Sequence, residues 1–377
     1  DCDFACGIEA QDASGNRIRA NSFPLPPGVP VHGVLGVNDL FGHARTATLG
    51  HDVSGYPRFT DWPQHPGVTH QQMYYKWLER AFLGGQKLMV AHAVNNEILC
   101  GISPRQDGFS CEDMPTVDRQ IDAIKDLEVY IDTLTGGPGN GWFRIAYSAA
   151  EARSIMENGK MAVILGIEVD GLLGCEEGAG CTENDVLREL DRYYAKGVRH
   201  VFPVHFFDNE FAGAAIGLDW LNLGNKIKTG HYFGAYDCSS EGIEFELAGV
   251  PSDPLSLFAR SIAEPLLGVT FPNATYPPGG HCNSKGLTSL GESLIKLMMT
   301  RGMIIDVDHM SYRATDRTLQ IAAEAQYPVV SGHSGFVDIL EDEPLSRDDE
   351  RSERRKLRRH VQAIRDLGGL VAPILNQ

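Results

Sequence analysis

The sequence predicts an α/β fold built on parallel strands, and three observations point there. Short apolar runs alternate with longer stretches of polar–apolar periodicity, the grammar of repeated βα units. The runs are nearly continuous in apolar residues, as expected of strands covered on both faces. Several periodic stretches end in glycine, which suits a helix C-cap. With 377 residues, 42% of them hydrophobic, the chain can bury the core of one large domain or of two ordinary ones.

The elements follow in order. HQQMYYKWLERAFLGG reads as a helix and leads into the strand KLMVAHAVNN (87–96). SAAEARSIMENGK precedes MAVILGIEVDG (161–171), and ENDVLRELDRYYAKG precedes GVRHVFPVHFFDN (197–209). GLTSLGESLIKLMMTRG runs into GMIIDVDHMS (302–311); YPVVSGHSG (327–335) follows, and HVQAIRDLGG leads into GGLVAPILN (368–376). Two regions break the rhythm. Residues 1–70, rich in Gly, Pro, His and Asp, read as an irregular segment packing on the unit formed by residues 71–377. Residues 206–286 are too long for an ordinary connection and read as an elaborated βα loop over the mouth of a site.

Charge and composition exclude several classes. A net charge of −17 disfavours a nucleic-acid surface, which needs clustered cations. The basic run RSERRKLRRH (351–360) reads as the exposed face of a helix. No apolar run is long enough for a membrane span, and no GxSxG elbow, P-loop or strand-following GxGxxG occurs. The eight cysteines fall in local pairs, Cys2 with Cys6, Cys100 with Cys111 and Cys175 with Cys181, while Cys238 and Cys282 bracket one long polar segment. No histidine lies beside them at zinc-finger spacing, so disulfides in a secreted or periplasmic protein are the expectation.

Polar residues collect at strand ends: Glu168 in GIEVDG, His205 in FPVHFFDN, His309 in IDVDHMS and His333 in VVSGHSG. In a (β/α)8 barrel the strand C-termini carry the chemistry, and a doubly wound sheet predicts the same rim. One carboxylate and several imidazoles at one rim form the ligand set of zinc. Asn95 and Asp208 are candidate substrate contacts. His92 reads as a core or rim histidine, and His200 as preceding its strand and pointing away from the rim. His32, His43 and His51 lack the spacing of a ligand pair, and His70, in THQQM, reads as capping or bracing a helix.

At these residues the chain resembles the membrane (renal) dipeptidase family of zinc hydrolases, which are amidohydrolase-like barrels. AVILGIEVDG looks like the segment ending in the family's metal-bridging glutamate, placing that role on Glu168. KGVRHVFPVHFFDNEFAG looks like the segment whose histidine contacts substrate, His205. GLTSLGESLIKLMMTRGMIIDVDHMS and YPVVSGHSG look like the segments supplying the two histidine ligands of the second metal, His309 and His333. The likeness is clear over 161–335 and looser to 377. GYPRFTDWPQHPGVTHQQMYYKW and AVNNEILC look like a secreted bacterial branch.

The resemblance implies a (β/α)8 TIM barrel of which strands two to seven are counted, with the first and last strands missing. The family's opening His-x-His or His-x-Asp is absent; in GVNDL (36–40), Asp39 matches the aspartate and Val37 stands where the histidine should be. Arg347, Arg351 and Arg354 lie near where the family places an arginine for the substrate carboxylate. The implied activity is hydrolysis of an amide or peptide bond in a small substrate, such as a dipeptide, by water activated on two Zn2+ ions. Another ester, lactone or amide as substrate, a non-catalytic secreted metal-binding module and a homodimer all stay open.

Overall fold

A computed structural model describes residues 9–11, 17–19, 75–102, 110–249, 274–339 and 351–374. After a small antiparallel pair, β1 (Glu9–Gln11) and β2 (Arg17–Arg19), come α1 (Tyr75–Leu83), β3 (Leu88–Val94), α2 (Glu97–Ile102) and α3 (Asp113–Leu134). Next are β4 (Phe143–Ile145), α4 (Ala149–Glu157), β5 (Met161–Glu168), α5 (Glu183–Lys196) and β6 (Val198–Val201). The long segment that follows holds α6 (Asp219–Thr229) and a hairpin of β7 (Ala235–Asp237) and β8 (His281–Asn283). Then α7 (Ser289–Thr300), β9 (Ile304–Ile305), α8 (Tyr312–Glu324), β10 (Val330–Ser334), α9 (Arg358–Asp366) and β11 (Leu370–Pro373) restore the alternation.

Every pairing among β3, β5, β6 and β9 is parallel. A parallel bridge from Asp306 to Val330 carries the sheet on to β10, which pairs in parallel with β11. The short β4 shares one side of β5 with β6: it pairs with Met161–Val163, and β6 with Leu165–Ile167. Among the described residues, β3 and β11 each keep one edge that pairs with no strand. The six strands read from the sequence are all present. Met161, Val163, Leu165 and Ile167 of the central β5 are completely buried, in one core with helix residues such as Val117 and Ile121, whereas Leu88 of β3 and Leu370 of β11 are exposed.

The helices begin and end where local chemistry says they should. Ser148 accepts the Glu151 N–H at the start of α4, Thr182 and Asp185 form a capping box on α5, and Thr288 accepts the Gly291 N–H on α7. Gly197 ends α5 with φ of 104°, the conformation anticipated for a glycine cap. Two elements escape the sequence pattern. The 22-residue α3 follows a disulfide loop, and β4 has only three residues.

Three disulfides join Cys100 to Cys111, Cys175 to Cys181 and Cys238 to Cys282. Cys2 and Cys6 lie outside the described residues, as do most of 1–70, with Val37, Asp39, His32, His43, His51 and His70, and Arg347.

The basic run corrects an expectation. Helix α9 starts only at Arg358, and Ser352, Glu353, Arg355 and Lys356 are buried. The Glu353 carboxylate accepts the N–H groups of Ile216, Asn283 and Tyr312 at 2.9, 2.8 and 2.7 Å. The Lys356 ammonium lies 2.9 Å from the Asp308 carboxylate. These buried groups are internal braces for the loops beyond the strands, so a solvated-face reading of 352–356 fails.

Candidate metal centre

Glu168 is the last residue of β5. His309 lies four residues beyond β9, at φ of 63°. A left-handed backbone is uncommon for a residue with a side chain, and it is held here by the Ala215 N–H donating to the His309 carbonyl at 2.8 Å. His333 sits within β10. His205 follows β6 on a loop whose Phe206 and Phe207 N–H groups donate to Asp170 at 2.7 and 3.2 Å.

These four side chains converge. His309 Nε2 is 2.9 Å and His333 Nε2 3.2 Å from Glu168 Oε1, and the two imidazole nitrogens are 2.9 Å apart. His205 Nε2 stands 3.6 Å from the same oxygen. One carboxylate oxygen and two imidazole nitrogens pointing at one another form a donor set fitted to a cation such as zinc. The cluster Cys175, Cys181 and Glu210 has comparable spacing, but its sulfurs are joined in a disulfide and are not thiolate ligands.

Electrostatics support this arrangement. Burial raises the Glu168 carboxyl, but hydrogen bonds from His309 and His333 outweigh burial and hold it well below the usual carboxylate range. Burial, then His309, lowers His205 far below an ordinary histidine, so its ring is neutral. Burial also lowers His309. At His333 burial works the same way, but Glu168 and the nearby aspartates reverse the balance and raise it.

Asn95 and Asp208 are placed differently. The Asn95 amide donates to the Cys111 carbonyl and to Asp113, both at 2.7 Å. Buried Asp208 accepts from the Ala214 N–H and the Asn283 amide, both at 2.8 Å. Both residues brace loops around the centre. Among the candidate arginines, Arg351 pairs with Glu244 at 2.8 Å in an exposed position. Arg354 instead lies with its guanidinium 5.8 Å from the centre of the Phe206 ring, which stacks on His205 at 3.8 Å. Gly217 makes this possible, because a Cβ there would come within 2.5 Å of Arg354 Cδ.

A second polar layer escaped the sequence reading. His200 lies inside β6, pairs with Gly166 and Ile304, and is buried. Its Nδ1 is 2.8 Å from His92 Nε2 and its Nε2 3.0 Å from Asp306 Oδ2. Paired residues of parallel strands share a face, so His200 shares that of Gly166 and Glu168, and the expectation that it points away is corrected. Burial, then His200, pushes His92 down to about 4. Phe202 packs among the four rings of His92, His200, His309 and His333, with centroids 5.1 to 5.9 Å away. The available signal was a glycine: a Cβ on Gly166 would come within 2.4 Å of the His92 ring.

Comparison with known proteins bears on this geometry. The family model for membrane dipeptidase, peptidase family M19, matches residues 271–353. Over this segment the chain is similar to that family. The segment contains both His309 and His333, so the resemblance read from those residues is borne out. No curated protein sequence matches the chain. Among solved structures, the probable dipeptidase PvdM from Pseudomonas aeruginosa is 19% identical, over 68% of this chain and 43% of its own, with a TM-score of 0.38. A metallopeptidase from Rhodobacter sphaeroides, liganded with a phosphinate mimic of the dipeptide L-Ala-D-Ala, is 15% identical over 89% of this chain and 70% of its own, with a TM-score of 0.44. The chain thus spans less than half the length of the first of these. The matched segment supplies two of the four converging side chains; Glu168 and His205 come from outside it.

Proposed function

We propose that this chain is a metal-dependent hydrolase of the dipeptidase type, with strands arranged as part of a (β/α)8 barrel and a zinc centre at their C-terminal ends. The observation that carries the reading is the meeting of Glu168, His309 and His333 within 2.9 to 3.2 Å of one another. Zinc held there would supply a water acidified toward neutrality and a Lewis acid for the scissile carbonyl.

The chain's own side chains do the rest. His205 is neutral, buried and beside the ligand cluster, so its Nε2–H can donate to the carbonyl oxygen as negative charge builds. Arg354, whose guanidinium lies 5.8 Å from the Phe206 ring beside His205, would bind a substrate carboxylate, which favours a dipeptide with a free C-terminus. Phe206 and Phe202 give the site apolar walls that strengthen both interactions. The three disulfides accord with a secreted or periplasmic setting.

The test is metal content and dipeptide hydrolysis on the same preparations. Stripping with a chelator should abolish hydrolysis and Zn2+ should restore it, while His309→Ala and His333→Ala should each lose bound zinc. Undiminished turnover by stripped protein, or unchanged zinc in either variant, defeats the proposal.

A further inference from the structure

The loop after β5 reads CEEGAGC (175–181). Its disulfide spans 6 residues of sequence, against 11 for Cys100–Cys111 and 44 for Cys238–Cys282. A cross-link restricts the unfolded chain less as the loop it closes shortens, so of the three this one stabilises the fold least by that route.

Hydrogen bonds hold both cysteines without it. The Cys175 N–H donates to the Leu172 carbonyl at 3.0 Å, and the Cys175 carbonyl accepts the Glu210 N–H at 3.2 Å. An antiparallel bridge from Glu176 to Asn209 extends that contact. The Glu210 side chain turns back on the loop, its Oε1 accepting the Gly180 N–H at 2.5 Å and its Oε2 the Cys181 N–H at 2.7 Å. Beyond Cys181, the Thr182–Asp185 capping box fixes the start of α5. The two sulfurs therefore stay neighbours when the bond between them is cut.

Among the described residues, this cysteine pair alone has a carboxylate within coordination reach: both sulfurs and a Glu210 oxygen lie within 4.8 Å of one another. Each Glu210 oxygen accepts one of those hydrogen bonds and keeps a lone pair. Tetrahedral zinc, with bonds to sulfur of about 2.3 Å, sets two thiolates about 3.8 Å apart, which falls inside that spread. Cys175 is fully buried, whereas Cys181 lines an open cleft of about 330 Å³ with Glu177, Gly178, Glu210, Lys285 and Thr288. A reductant and a cation can reach the sulfurs from there, and the Lys285 ammonium on the cleft wall favours thiolate over thiol.

We propose that Cys175, Cys181 and Glu210 form a redox-gated site for a soft divalent cation such as Zn2+ or Cd2+, with solvent as the fourth ligand. A dithiol cleaves the bond between the sulfurs, giving up two electrons and two protons and leaving as its own cyclic disulfide. The cation then binds both sulfurs as thiolates, and their two protons pass to solvent. Two thiolates beside a carboxylate select such a cation over Mg2+ or Ca2+. The site shares no residue with the Glu168 cluster and does not depend on it.

The experiment follows Cd2+ on the full chain in the ultraviolet, where cadmium–thiolate bonds absorb and cadmium bonds to imidazole or carboxylate do not. Oxidised chain should show no such band. Chain opened with limiting dithiothreitol, then freed of it without air, should develop the band to an end point of one Cd2+ per chain. Alkylation and mass mapping should place the opened pair at Cys175 and Cys181. The double variant Cys175→Ser, Cys181→Ser should show no band after the same treatment. Glu210→Gln keeps both thiols and should bind Cd2+ about 10-fold more weakly or worse. Reduced wild type without the band, or with the circular dichroism of an unfolded chain, overturns the proposal. A band that persists in the double variant overturns it as well, as does Glu210→Gln binding Cd2+ as tightly as wild type.

Discussion

Lys356→Met tests whether the basic run braces the candidate metal centre from within. The ammonium and the Asp308 carboxylate are 2.9 Å apart, with 1% and 4% of their side-chain surfaces exposed. At an effective dielectric constant near 20, their attraction is roughly 6 kcal/mol. Desolvation of both ions offsets much of it, so the pair's net contribution is modest, but removing one partner strands the other. Methionine matches the lysine stem and leaves Asp308 buried and charged, which should cost about 3–5 kcal/mol. Asp308 also accepts the Ser331 hydroxyl at 2.6 Å and the His333 N–H at 2.7 Å, so the strain falls on the strand that carries a proposed ligand. Urea denaturation at pH 7 measures the loss, and Asp308→Asn in the Lys356→Met background should recover at least about 2 kcal/mol by removing the stranded charge. A single-variant cost under about 1 kcal/mol, or no recovery in the double variant, would refute the brace.

Two further predictions concern neighbouring charges. Burial pushes the fully buried Glu353 up to about 8, against its backbone hydrogen bonds, from an ordinary 4.5. Its folded pKa is raised, so the folded state binds the extra proton between those values; stability is highest below pH 4.5 and falls as pH rises toward 8. Glu353→Gln should flatten that segment of the stability–pH curve in chemical denaturation, and an unchanged slope would count against it. Arg354→Met should raise KM for a dipeptide by about 10-fold or more with a smaller effect on kcat, while a dipeptide amide lacking the carboxylate should be indifferent to the change. Equal losses on both substrates would remove the carboxylate-anchor role.

Much of the sheet and of the His/Glu cluster was legible because both depend on short-range patterns. Continuous apolar runs gave the strands, glycine caps gave the helix ends, and a polar residue closing an apolar run marked Glu168. Residues 351–356 resisted for the opposite reason. A run of charges carries the same local signal whether it faces water or a buried partner, and the partners of Glu353 and Lys356 are 41 to 137 residues away in sequence. Asn95 and Asp208 stood near the right strands, but proximity in sequence does not say which way an amide or carboxylate turns. Arg354 could be separated from Arg351 only by the aromatic ring beside it.

His200 shows why register carries information that composition does not. One residue inside a four-residue strand decides which face a side chain takes, and reading that strand as starting after His200 removed it from the sheet. With the pairing in place, His92, Gly166 and His200 form one row across three strands, and Val94 with Glu168 forms the row above on the same face. Two residues of strand rise separate the rows by about 6.6 Å, near enough for a ring in the lower row to reach a carboxylate in the upper one. The middle strand must then be bare in the lower row, because rings from both sides fill that space, and Gly166 is the residue that leaves it bare. A glycine flanked across the sheet by two histidines, one row beneath a strand-end glutamate, therefore marks where polarity starts along these strands.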